Sequence, residues 1–178
     1  MAEQIRIEVQ DGELRAALAR AVASATDLAP LMLDISAVLQ AAADNAFTEQ
    51  ADPSTGAPWA PLSETTKKRR KGQAPFAILQ DKGILAAAIG SQHTSDEAIV
   101  GVANPAAIYA VTHQFGARRG QYGSAAGAYT FDGDEIRPRA IPIPWGDIPA
   151  RPFLGIGWTD EEEILDLVST YISSSFSG

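Results

Sequence analysis

Asp27-Leu-Ala-Pro-Leu-Met-Leu-Asp-Ile-Ser-Ala-Val-Leu-Gln-Ala-Ala-Ala-Asp-Asn-Ala-Phe47 reads as one amphipathic helix. Leu31, Ile35, Val38, Leu39, Ala42 and Ala46 recur three or four residues apart and run to about Phe47, the spacing that places side chains on one face of an α-helix. Asp34, Asn45 and Glu49 are left for the solvent side. Pro30 fits a first helical turn and not a helix interior, so the start lies around Asp27–Pro30.

Toward the N-terminus, Ile5, Ile7 and Val9 alternate with Arg6 and Glu8, the period of a strand with one buried face. Asp11-Gly12 breaks the alternation, and Leu14, Leu18 and Val22 then predict a second amphipathic helix with Asp11 as its cap or turn residue. The two helices are expected to supply half of the core.

Toward the C-terminus, Pro53, Gly56 and Pro58 forbid regular structure from Asp52 to Trp59, so Trp59 is a large apolar group in a polar loop that should plug onto a core or a partner. Ser63-Glu-Thr-Thr66 can cap a short basic helix over Lys67, Lys68, Arg69, Arg70 and Lys71, ended by Gly72. Asp81-Lys82-Gly83 reads as a turn between Ile78-Leu79 and Ile84-Leu85. Ala87–Gln92, Glu97–Val102 and Ile108–Val111 read as short strands or half-turns, the best sign of an antiparallel sheet. Residues 116–148 are rich in Gly, Pro, Ser and Ala and form an extended arm, with Asp132-Gly133 as a hairpin turn and Pro142 and Pro144 confining their segment to a sheet edge or a tail. Thr159 and Glu162 make a capping-box pattern before the stripe Ile164, Leu165, Val168, Tyr171, Ile172 of a closing helix. The expected fold is α+β, helices packed on an antiparallel β-sheet, in one domain over residues 1–178 with an arm or hairpin at about 116–148.

Composition narrows the function. With 178 residues, 46% hydrophobic and 20% charged, the chain is the size and balance of a globular domain. No apolar run approaches the roughly 20 residues of a membrane span, and Met1-Ala-Glu-Gln opens with neither basic nor apolar leader character, so an unexported protein is expected. Zero cysteines exclude disulfides and thiolate chemistry. A formal charge of −8 repels phosphate backbones, which leaves the run Lys67–Lys71 as the one candidate contact for DNA or for an acidic neighbour.

Catalytic chemistry finds little to stand on. Histidine is the commonest base for a nucleophile, and only His93 and His113 exist. His93 lies in the polar turn Gln92–Asp96 and reads as a surface residue. His113 has aromatic neighbours and reads as a hydrogen-bonded structural histidine before it reads as a base. Asp160–Glu163 is the acidic first turn of a helix, and Asp132, Asp134 and Glu135 lack the spacing of a calcium loop. Gly116, Gly120, Gly123 and Gly127 form no phosphate loop. The expectation is no enzyme, no cofactor and no metal. What remains is a set of aromatics in loops, Trp59, Tyr122, Tyr129, Phe131, Trp145 and Phe153, which suggests surfaces completed by a partner.

Five ordered blocks carry a resemblance. They are Phe47 with Gly56-Ala-Pro-Trp59-Ala-Pro-Leu62 and Thr65/Thr66; Ile78-Leu-Gln-Asp-Lys-Gly83-Ile-Leu85; Tyr109-Ala110; His113-Gln-Phe115-Gly116; and Ile148-Pro-Ala-Arg151-Pro152-Phe153-Leu154. In this order they resemble the phage virion morphogenesis family, which includes tail completion proteins of Mu-like and P2-like phages. The resemblance implies a structural virion protein of the neck or tail end, made in the host cytoplasm. It implies a homo-oligomeric, hexameric ring on the tail tube, with the tail tube protein and a head–tail connector as neighbours, and a tail terminator-like fold. No catalytic residues transfer from it. The motif positions read as structural: Trp59 as a plug, Gly83 as a turn, His113–Gly116 as a sheet or interface corner, and Arg151–Phe153 as the lead into the last helix. A DNA-contacting connector or packaging accessory, using Lys67–Lys71 without sequence specificity, is the alternative. A hydrolase using His113 is the third reading.

Overall fold

Helix α1, Ala29–Glu49, is the element on which the others pack. In chain order come α2 (Glu64–Arg69), α3 (Ile84–Ala87), β1 (Ile89–His93), β2 (Ala98–Val102), α4 (Ala107–Phe115), β3 (Ser124–Asp132), β4 (Glu135–Pro142) and α5 (Trp158–Ser177). The computed structural model describes residues 15–16, 19–20, 22, 27–70, 72, 74–103, 107–132, 135–144 and 146–177. Arg15, Ala16, Ala19, Arg20 and Val22 are helical, as the Leu14–Val22 spacing predicts, and the strand expected at Ile5–Val9 lies outside the described residues.

The start of α1 obeys its sequence signals. Asp27 accepts the Ala29 N–H at 3.1 Å, and Pro30 sits in the first turn. Leu31, Val38, Ala42, Ala43, Ala46 and Phe47 are buried. Three alanines on that face let neighbours approach closely, and α1 packs on the antiparallel pair β1–β2 as well as on α5. The helix ends at Gln50, which adopts the left-handed conformation (φ 53°) and donates its N–H to the Ala46 carbonyl. Two glutamines then tie the 78–80 segment to this terminus: the Ile78 N–H donates to Gln50 Oε1 at 2.6 Å, and Gln80 Nε2 donates to the Phe47 carbonyl at 2.8 Å. Helix termini leave unpaired carbonyls, and Gln80 satisfies one of them.

The loop after α1 is a tight return. The Gly56 N–H donates to the Asp52 carbonyl at 2.8 Å, Ala51 bridges Pro58, and the Trp59 N–H donates to the Gln50 carbonyl at 2.8 Å. Trp59 is thereby turned back onto Phe47, ring edge to ring face, with centroids 5.4 Å apart. Phe153 meets the same Phe47 ring at 5.6 Å. These three side chains, with Leu85, Ile89, Ala110, Ala43 and Ala46, form the core. Trp59 and Phe153 therefore belong to the chain's own interior, which corrects their reading as surfaces awaiting a partner. Trp145, another of the loop aromatics, lies outside the described residues.

Three further expectations change. Ile108–Val111 is helical, inside α4, with Ala110 buried in the core and Tyr109 and Val111 exposed. The basic helix is Glu64–Arg69, capped by Ser63, which accepts the Thr66 N–H at 3.2 Å; it stops at Arg70, before Gly72. The last helix begins at Trp158, where Asp160 Oδ2 accepts the Gly157 N–H at 2.7 Å and the Gly157 carbonyl accepts from Glu161, so the cap lies two residues before Thr159.

The strands form two separate antiparallel pairs, β1–β2 and β3–β4. The α+β class holds. The 116–148 arm is a β-ribbon for most of its length, in register from Ser124↔Pro142 to Asp132↔Glu135, with an irregularity between Ala126 and Ala128 at Gly127. The pairing closes at Asp132↔Glu135, and Gly133 of the expected turn lies outside the described residues.

Phe47→Ala and Trp59→Ala should each lower stability by about 3–5 kcal/mol, the usual cost of truncating a buried aromatic, read as a shift of the urea midpoint. A loss under about 1 kcal/mol at either position would contradict this account of the core.

Candidate interaction surface

The sequence-predicted positions converge where three distant segments meet: 59–62, 113–117 and 148–154. Helix α4 delivers His113, Gln114 and Phe115 to this junction, and Gly116 comes next with φ +74°. A Cβ on Gly116 would lie 2.8 Å from the Ile148 carbonyl oxygen and 2.9 Å from the Ala150 nitrogen, so only glycine allows both the turn and the close approach. Ala117 and Ile148 then exchange two backbone hydrogen bonds, at 2.9 and 2.7 Å, and the Arg151 N–H donates to the His113 carbonyl at 2.7 Å. Of the expected sheet or interface corner, the sheet reading gives way: His113–Gly116 is a helix end locked against an extended segment.

Gln114 carries no signal in the sequence, yet it holds 153–154 in place. Its Oε1 accepts the N–H groups of Phe153 and Leu154 at 3.0 and 3.1 Å, and its Nε2 donates to the Leu154 carbonyl at 2.8 Å. The Trp59 indole N–H donates to the Pro152 carbonyl at 2.7 Å, which ties the plug to the same segment. Arg151 is buried, and its guanidinium donates to the Ala60 carbonyl at 2.8 Å and the Pro61 carbonyl at 3.0 Å. Hydrogen bonds from a charged donor contribute about 1.5–3 kcal/mol, so this arginine is a strap between two loops.

Seven of the predicted residues, Leu62, Arg70, Gly83, Leu85, Tyr109, His113 and Arg151, line one open groove of about 500 Å³. Trp59 and Phe153 belong to the core and not to the lining of this groove. Gly83, at φ +70°, is the turn residue before α3, as expected. Phe115 points elsewhere: it is 75% exposed and, with Val111 at 57%, borders a second, apolar groove of about 300 Å³ that also touches Val102 and Leu154.

His113 packs edge-on to Tyr109, and its Nδ1 is buried without a hydrogen-bond partner among the described residues. Burial, and then the positive charge of Arg151, hold its pKa below the ordinary imidazole value. The imidazole is therefore neutral at pH 7. Ser63 and Thr66 are hydroxyl residues of this groove; the Ser63 oxygen accepts the Thr66 N–H in the α2 cap and lies 2.9 Å from Thr66 Oγ1. Among the described residues no group of three His, Asp or Glu side chains could hold a metal ion.

The basic run divides. Arg70 is held internally by the Ala77 carbonyl, by Asp81 at 3.4 Å and by the Phe76 ring at 6.0 Å. Lys67 pairs with Glu64 at 2.9 Å, while Lys68 and Arg69 are exposed on α2, and Lys71 lies outside the described residues. No described helix is long and apolar enough to cross a membrane.

Comparison with known proteins gives a consistent match. The family model described as the phage virion morphogenesis family matches residues 9–173. The chain is 32% identical over 143 residues to the "Putative capsid assembly protein G" of Escherichia phage Mu, covering 79% of this chain and 77% of that one. It is also 32% identical over 168 residues to the "Mu-like prophage FluMu G protein 2" of Haemophilus influenzae, covering 94% of this chain and 95% of that one. No solved structure gives a significant match.

Two outcomes test the junction. Gly116→Ala should destabilise the chain by more than about 1 kcal/mol, since it adds a close contact to an unfavourable backbone conformation. Stability should also fall as pH drops below about 6.5, because the unfolded chain takes up a proton that folded His113 resists; the fall ends once the folded pKa is passed. Urea midpoints from pH 5 to 7.5 would show it, and His113→Gln should flatten that slope.

Proposed function

The chain belongs to the phage virion morphogenesis family, and from that membership we propose that it is a structural subunit of the phage neck or tail end. Copies form a closed ring on the tail tube, hexameric by the family resemblance, and the finished ring lets head and tail join. The tail tube protein lies on one side of it and a head–tail connector on the other. A role in building the virion is what the family membership carries; the family is not a known enzyme family.

One observation supports the ring above others. Among the described residues, the extensive contacts of β3 and β4 are with each other. A two-stranded ribbon is marginal in water without a surface to lie on. Ribbons and strand edges that lack cover in their own chain find it in neighbours, and a closed ring satisfies each contact without open-ended growth. The exposed apolar residues Val111 and Phe115 are consistent with such an arrangement.

The reading predicts that particles assembled without this protein accumulate as unjoined heads and tails. Electron microscopy of wild-type particles should show ring density at the junction; a protein absent from finished virions would sink the proposal. The DNA-contacting alternative separates cleanly. Neutralising Lys67, Lys68 and Arg69 should leave particle yield within about twofold of wild type if the subunit acts through protein contacts, whereas a DNA role would show a salt-sensitive affinity lost with those charges.

A further inference from the structure

We infer that two copies of the free subunit pair through the outward face of α5, antiparallel, on a two-fold axis at Leu165. This goes beyond the ring reading. A contact that uses the same surface on both partners stops at two copies, so it belongs to the subunit before assembly.

Helix α5 has two apolar faces. Ile164, Leu167, Val168 and Tyr171 are half-buried, and the helix packs on α1, where Leu167 and Tyr171 share a furrow with Leu31. The Tyr171 hydroxyl donates to the Asp27 carbonyl at 2.7 Å, which fixes this face inward. At about 100° per residue, Leu165 lies on the side of the helix away from Leu167 and Tyr171. Trp158 and Ile172 stand seven residues before and after it, so the three share one side and form a stripe about 21 Å long. They are 72%, 66% and 53% exposed in chain order, so the folded chain leaves the stripe uncovered.

The stripe is its own complement when reversed. Leu165 is its midpoint, so an antiparallel copy sets Leu165 against Leu165 and Trp158 against Ile172 at both ends. Apolar residues seven apart are the pattern by which paired helices keep one seam in contact. Charge selects the direction. The carboxylates of α5 gather in its first half, at Asp160–Glu163 and Asp166, and residues 167–177 carry none. Parallel pairing would set the two acidic turns side by side. Antiparallel pairing sets Asp160–Glu163 beside the uncharged residues 167–170 of the other copy. In a chain of net charge −8, whose copies repel, that arrangement lets the apolar stripes meet without opposing like charges. One helix face is a small interface, so the pair is reversible and concentration-dependent.

The cysteine-free chain makes the test direct. Helix axes about 8–10 Å apart bring residues on the two-fold axis to about 5 Å between Cα atoms, within disulfide reach. Under mild oxidation, full-length Leu165→Cys should form at least about tenfold more disulfide dimer than Trp158→Cys or Ile172→Cys alone, whose thiols stand about 21 Å apart in the pair. Trp158→Cys mixed with Ile172→Cys should give the dimer again. Leu165→Glu should shift sedimentation from dimer to monomer and leave far-UV circular dichroism unchanged, because that side chain already faces water in the single chain. A wild-type chain that sediments as a monomer at every soluble concentration overturns the pair, and so does Trp158→Cys cross-linking to itself as readily as Leu165→Cys. Neither result touches the ring reading, which is tested on virions; a subunit missing from virions overturns the ring and leaves the pair standing.

Discussion

The packing of the Trp59 and Phe153 rings against Phe47 is the contact on which the rest of the structure depends. Helix α1 supplies Phe47 at its last turn, and each partner arrives from a loop with no regular structure of its own. Loops enter an interior only if their backbone polar groups are answered, and here they are answered by side chains. The Trp59 indole takes the Pro152 carbonyl, Gln114 takes the amides of Phe153 and Leu154, and Arg151 takes the carbonyls of Ala60 and Pro61. A core of few large rings thus depends on a shell of polar straps. That shell explains why Arg151, a charged residue, is buried in so acidic a chain.

The same straps give the ordered blocks of the sequence their physical meaning. Trp59 and Pro152 are bonded across 93 residues, and Arg151 reaches back 91 to Ala60. Short blocks scattered along the chain become one junction because each contributes one strand of the knot. The groove above it, and the apolar groove beside Phe115, are consequences of where that knot holds α4.

Much of the framework is legible in the sequence, for reasons tied to local chemistry. Pro30 and a regular apolar stripe announce α1, Asp132-Gly133 announces the hairpin, and Gly83 announces its turn, because each signal acts within a few residues. Ile108–Val111 misleads, since β-branched and aromatic residues in a short run fit a strand as well as a helical turn, and periodicity over four residues does not separate the two. Trp59 reads correctly as a plug, but whether it plugs its own core or a neighbour is a tertiary question. Gln114 is silent because a glutamine in a sequence does not declare which amides it will hold. The groove residues stand out as a set through the family resemblance, and their common location could only come from the fold.

Gly116 also has a mechanical consequence. No side chain fits between residue 116 and the Ile148–Ala150 backbone, so the segments that lead into and out of the arm lie side by side there, joined by the Ala117–Ile148 pair. The Arg151 N–H, three residues on, closes onto the His113 carbonyl. A side chain at position 116 would therefore displace the same stretch of backbone that delivers Phe153 to the aromatic centre of the subunit.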